Sequence, residues 1–188
     1  MRPLLAALFA GLWSLAARAQ IAPPVPAQAS VCFTPGSRCA DRIVQAIDAA
    51  QHEIRVQAYG FTAAPILQAL ALAAGRGVDV QVLLDKSNVS GHRYSGADYM
   101  RQVGIPVWID YLPSIAHAKL IIVDQHFVVG GSYNYTRSAE TRNSEDVTFL
   151  DSPELATQFL ANWSRRKAAS IPYEGAVSFS PSLEASPP

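Results

Sequence analysis

The 188-residue chain has no surplus of either charge: fifteen Lys and Arg residues are balanced by fifteen Asp and Glu. Affinity for a polyanion must therefore come from a local patch, not from the field of the whole molecule. Lys119, Arg137 and Arg142 could supply such a patch, with Lys86, Arg93 and Arg101 preceding them. Cysteine is equally scarce. Only Cys32 and Cys39 occur, without the neighbouring soft or imidazole ligands a metal centre needs and without the C-x-x-C spacing of a redox pair. In an exported chain they would close a small ring over Phe33 to Arg38, a structural disulfide worth on the order of 2–3 kcal/mol. A bilayer-spanning run is missing too. The apolar stretch Leu4 to Ala16 is shorter than the ~20 residues a membrane helix requires. With Arg2 before it and Ala17-Arg18-Ala19 after it, residues 1–19 read as a signal peptide, which predicts a periplasmic or secreted protein. Its removal would leave 13 basic and 15 acidic groups, a net charge of −2. No amphipathic membrane-binding stretch is evident in the remainder, so no stable membrane insertion is expected after cleavage.

Residues 20–30 form a Pro-rich linker, 31–170 have the length and patterning of one domain, and 171–188 are Ser/Pro-rich, the composition of a disordered tail. Within the domain, helical spacing over Asp41 to Ala50 is followed by strand alternation from Ile54 to Tyr59. A helix over Ala63 to Ala74 stops at Gly75-Arg76-Gly77. Then come a strand at Val78 to Leu84, a helix at Ala97 to Val103 and a strand at Ile105 to Ile109. A hairpin or near-hairpin of His117 to Val123 with Phe127 to Gly130 precedes a strand at Val147 to Leu150 and a helix at Pro153 to Ala169. Strands alternating with helices, plus one hairpin, predict an α/β fold with a mixed β-sheet sandwiched between helices.

The chemistry is concentrated in one stretch. His117-Ala118-Lys119 is followed by four apolar residues, Asp124, six more residues, and Gly131-Ser132-Tyr133-Asn134. On a strand His117 and Lys119 share a face, roughly 6–7 Å apart along the chain. Such a pair suits an anion: Lys119 neutralises charge, while His117 can act as nucleophile or proton carrier near neutral pH. Ser132 and Asn134 add a hydroxyl and an amide for phosphate oxygens. Singly, each residue has a plain structural reading: a core histidine, a snorkelling lysine, a turn aspartate, a kink glycine. Asp124 in particular sits where a turn is expected, with holding the hairpin or pairing a cation as its work. Coincidence of all of them at these spacings is what points to function.

The pattern H-x-K-x4-D-x6-G-S-x-N resembles the HKD signature of the phospholipase D superfamily. The region from Val31 to about Lys167, including Cys-Phe-Thr-Pro-Gly and Val56 to Thr62, is similar to the small single-copy Nuc-type bacterial endonucleases of that superfamily. The resemblance implies a phospholipase D-like domain with His117, Lys119, Asp124 and Glu145 as catalytic residues. Glu145, just before the run Val147 to Leu150, would orient the histidine. Lys119, Ser132 and Asn134 would bind the substrate phosphate. It also implies hydrolysis of a phosphodiester through a phosphohistidine, with no cofactor and no metal. Nucleic acid is the expected substrate, with a phospholipid headgroup ester as the alternative and phosphate binding without turnover as a third possibility. Larger relatives carry two HKD copies, whereas this sequence has no internal repeat and only one histidine followed two residues later by lysine. A homodimer with a composite site would supply the pair.

Overall fold

Fourteen short elements build one eight-stranded sheet with helices on both faces. The computed structural model describes residues 24–89 and 95–175. The expected signal peptide, the first part of the linker, Arg93 and the stretch from Ser178 lie outside them. The strands are β1 (Gln28–Thr34), β2 (Glu53–Ala58), β3 (Asp79–Asp85), β4 (Val107–Asp110), β5 (Lys119–Val123), β6 (Phe127–Gly131), β7 (Glu145–Asp151) and β8 (Ile171–Pro172). The helices are α1 (Cys39–Asp48), α2 (Ala64–Gly75), α3 (Gly96–Gln102), α4 (Arg137–Thr141) and α5 (Pro153–Ala168), with a 3₁₀ turn at Lys86–Val89. The strand order is β1-β7-β6-β5-β2-β3-β4-β8. Strands β2, β3 and β4 pair in parallel and the others antiparallel, giving the mixed sheet that the sequence predicts.

The central strands are covered on both faces, so every residue of β5 is buried. Ile121 and Val123 pack with Ile43 and Ile47 of α1 and Ile66 and Leu70 of α2. Leu120 and Ile122 face the other way, onto Ala156 and Trp163 of α5. Trp163 fixes that helix to the sheet by donating from Nε1 to the Val56 carbonyl at 2.9 Å. Farther along α5, Arg166 forks onto the fully buried Asp110 carboxylate with contacts of 2.6–2.8 Å.

Three differences from the sequence reading stand out. Gln28 to Ser30, expected in the linker, belong to β1 because the far end of β7 pairs with them (Gln28 with Asp151). Ile171 and Pro172, expected in the tail, pair with β4, and Tyr173 continues the packing with its hydroxyl on Asp98. Helix α4 was not expected; it is one short turn capped by Thr136, whose Oγ accepts from the Ala139 amide. The two cysteines form the expected disulfide, which joins the end of β1 to the first residue of α1.

Candidate active site

His117 sits just before β5, and the strand proper begins at Lys119. The ladder is still engaged at this point, because the Tyr59 amide donates to the Ala118 carbonyl at 3.0 Å. Side chains two residues apart on this extended backbone share a face, and Lys119 folds back along it. Its ammonium donates to His117 Nε2 and to the His117 carbonyl, both at 2.9 Å. An ammonium can donate to Nε2 only if that nitrogen carries its lone pair, which places the imidazole proton on Nδ1. In that tautomer the nitrogen beside the lysine is the one with a lone pair. Tyr59 packs against both groups, with its ring 4.7 Å from the His117 ring and 5.4 Å from Lys119 Nζ. Burial pushes the Lys119 pKa below its ordinary 10.5, and the nearby Glu145 carboxylate offsets part of that shift.

Adjacent strand β6 delivers the second half of the motif. Gly131 has φ of +132°, and a Cβ there would collide with the Asp146 carbonyl oxygen, so only glycine lets β6 approach β7 this closely. Beyond it, the Ser132 hydroxyl donates to Glu145 at 2.6 Å and accepts from the Asp146 amide at 3.1 Å. Asn134 accepts from the Gly60 amide through Oδ1 at 3.2 Å, which leaves its NH₂ to donate. Tyr59 against His117 and Gly60 against Asn134 thus join the two halves of the motif through consecutive residues after β2.

Two of the expected catalytic residues have partners other than His117 in this structure. Asp124 was grouped with the catalytic residues, but it lies at the other end of β5, about 16 Å along the strand from Lys119. There Asp124 and Gln125 both have positive φ (48° and 61°) in a tight β5–β6 turn. The Asp124 carboxylate accepts from the amides of Gln51, His52 and Glu53 at 2.8–2.9 Å. Burial would raise its pKa, but those three amides outweigh burial and hold it below 3.8. Its place is that of a turn clip. Glu145 was expected on the imidazole. Pairing of β7 with β6 instead sets it beside Ser132, and its other oxygen accepts from Asn143 at 2.7 Å.

Sequence reasoning missed Asp85. This buried carboxylate, at the carboxyl end of β3, accepts from the Ala116 amide at 2.7 Å and the Ser87 amide at 2.8 Å. Burial acts to raise its pKa, and the two amides bring it below the ordinary value. It anchors the residue immediately before His117. Lys86, expected in a substrate patch, donates to the Pro113 carbonyl at 3.1 Å and so holds the same loop. The available signal was an acid ending an apolar parallel strand, where α/β sheets place their sites.

A cavity of about 360 Å³ lies beside the Ser132–Asn134 segment, lined by Thr62, Pro65, Tyr133, Arg137 and Glu140 among others. A larger cleft of about 660 Å³ opens near α5, away from the motif. Its cations are already engaged: Lys167 by Gln81 and Trp108, and Arg55 by Glu53 and Asp79. Among the described residues, no group of three or more His, Cys, Asp or Glu could hold a metal ion, and no helix is long and apolar enough to cross a membrane.

The fold and much of the sequence are shared with known proteins. Nuc from Salmonella typhimurium, a phospholipase D family member, superposes with a TM-score of 0.75 at 38% identity, over 79% of this chain and 99% of its own. NucT from Helicobacter pylori shares the fold, with a TM-score of 0.73 at 21% identity, covering 79% of this chain and all of NucT. A Rickettsia conorii protein named phospholipase D is 44% identical over 140 residues, 74% of this chain and 70% of that protein. Residues 43–167 match the family described as "Cardiolipin synthase, PLD-like domain", and this span carries His117, Lys119, Ser132 and Asn134. The chain is therefore a member of the phospholipase D superfamily of hydrolases.

Proposed function

We propose that the chain is an exported, metal-independent phosphodiesterase that cleaves nucleic acid through a phosphohistidine. The observation that carries this reading is the Lys119 ammonium on His117 Nε2, with Ser132 and Asn134 just beyond the end of neighbouring strand β6. A phosphate oxygen that draws Lys119 onto itself frees the Nε2 lone pair for attack on phosphorus. His117 of a second copy, across a two-fold axis, protonates the leaving ester oxygen. Lys119, Ser132 and Asn134 from both copies stabilise the equatorial oxygens as charge shifts. Water then attacks the phosphohistidine, with the second His117 acting as base. The case for nucleic acid rests on the close likeness to Nuc along nearly the whole of that protein.

Phospholipid is the second reading, and one observation favours it. Tyr111, Leu112 and Ile115 are exposed on the loop that leads into His117, where an apolar tip could meet a lipid surface. The name of the Rickettsia relative supports the same substrate. Plasmid DNA and phosphatidylcholine vesicles, each assayed with and without excess EDTA, separate the two. Nicking of DNA that survives EDTA is the expected result. Choline release without nicking would replace the first reading by the second. Activity lost in EDTA and restored by one divalent metal would overturn the metal-free chemistry.

A further inference from the structure

We propose that Glu140 is a positioning residue of the active site, through which the Cys32–Cys39 ring holds the Ser132–Asn134 segment in place. The proposal rests on the reading of that segment as the phosphate cradle. Glu140 lies in α4, outside the H-x-K and G-S-x-N positions. Its Oε2 accepts from the Tyr133 hydroxyl at 2.8 Å and from the Ala40 amide at 3.0 Å. Ala40 is the residue after Cys39, in the first turn of α1, where backbone amides have no partner within the helix. Tyr133 is the buried residue between Ser132 and Asn134. One carboxylate oxygen therefore ties the disulfide-closed start of α1 to the middle of the cradle.

A second path leaves the same ring and ends at Ser132. Thr34, inside the ring, directs its buried hydroxyl to the carbonyls of Ala139 at 2.8 Å and Asn143 at 3.2 Å. The Asn143 side chain donates to Glu145 Oε1, and Glu145 Oε2 accepts from the Ser132 hydroxyl. The two paths both leave the ring, both touch α4 (at Ala139 and Glu140), and end at neighbouring residues. A helix cap alone would need the Ala40 contact but not the Tyr133 one. The Tyr133 contact does nothing for α1; it fixes where Ser132 and Asn134 stand. With Gly60 holding Asn134 from the other side, each of the three residues has a side-chain hydrogen bond that holds it. Release of one lets the hydroxyl and amide drift relative to Nε2, and about 1 Å of misplacement costs on the order of 10²-fold in rate.

The test is steady-state hydrolysis of bis(p-nitrophenyl) phosphate by the mature protein, with kcat and KM measured separately well below each variant's thermal midpoint. Glu140→Ala should lower kcat by about ten- to a hundredfold with a smaller change in KM. Glu140→Gln should recover most of it, because the amide oxygen can accept the same two hydrogen bonds. Tyr133→Phe, which removes only one hydroxyl, should reproduce part of the loss, and Cys32→Ser with Cys39→Ser should shift kcat in the same direction. Wild-type kcat in Glu140→Ala, or a Gln variant as impaired as Ala, would overturn the proposal. Wild type inactive on every phosphodiester would sink the functional reading instead. In that event the Ser132 and Asn134 amide resonances, compared between wild type and Glu140→Ala, still decide the positioning role: displaced signals support it and unmoved ones refute it.

Discussion

Replacing Lys119 with methionine should separate catalysis from stability. Methionine keeps much of the buried stem and removes only the ammonium, whose two bonds go to His117 Nε2 and the His117 carbonyl. For turnover the loss is that of a charged donor aimed at the phosphate, about 3–4 kcal/mol or 10²–10³-fold in kcat. For folding the terms oppose each other. Two charge-assisted bonds are lost, but His117 is exposed and water can replace the donor. Against that, an ammonium held in a buried place is no longer desolvated. The net change should lie within about 1 kcal/mol, or roughly 3 °C in Tm for a folded domain of this size. The pH dependence gives an independent check. A lysine whose folded pKa is depressed binds fewer protons than the unfolded chain between that value and 10.5. Wild type should therefore gain stability as pH rises through this window, and Lys119→Met should lack that gain. Calorimetry across the alkaline range, with kcat on a chromogenic diester, measures both. A variant that loses activity only in proportion to its unfolded fraction, or keeps kcat within about tenfold of wild type, would refute the reasoning.

His117→Ala should abolish turnover and leave the circular dichroism spectrum unchanged, since both proposed proton and phosphoryl roles vanish with an exposed side chain; more than trace activity would sink the assignment. Asp124→Ala should cost about 2–3 kcal/mol by leaving three amides without their acceptor, while kcat stays unchanged. The Asp124 contribution is fully present above pH 3.8 and lost as pH falls through the lowered folded value, so acid unfolding of wild type and variant should converge at low pH. If the site is composite, specific activity should fall on dilution in step with the dimer fraction seen by light scattering; constant activity per chain in a monomer would refute it.

Local signals made much of the fold legible. The β5–β6 hairpin, the stop of α2 before Gly77 and the helix over α5 all follow from periodicity and punctuation near the residues concerned. What stayed hidden depends on distant partners. Gln28 to Ser30 carry no strand pattern and become a strand only because residues 149–151 lie beside them. Asp85 and Ala116 are 31 positions apart, so nothing in either stretch announces their bond. The site shows the same divide. His117, Lys119, Ser132 and Asn134 were readable as a spacing. Residue type alone could not say that Asp124 points at the wrong end of its strand, or that β7 would hand Glu145 to Ser132.

The first and last described strands, β1 and β8, are the two borders of the sheet, while β5 with its histidine lies near the middle. Seven inter-strand gaps of about 4.8 Å set those borders roughly 34 Å apart. A tag or carrier attached at either border leaves the molecule sideways, clear of the phosphate cradle.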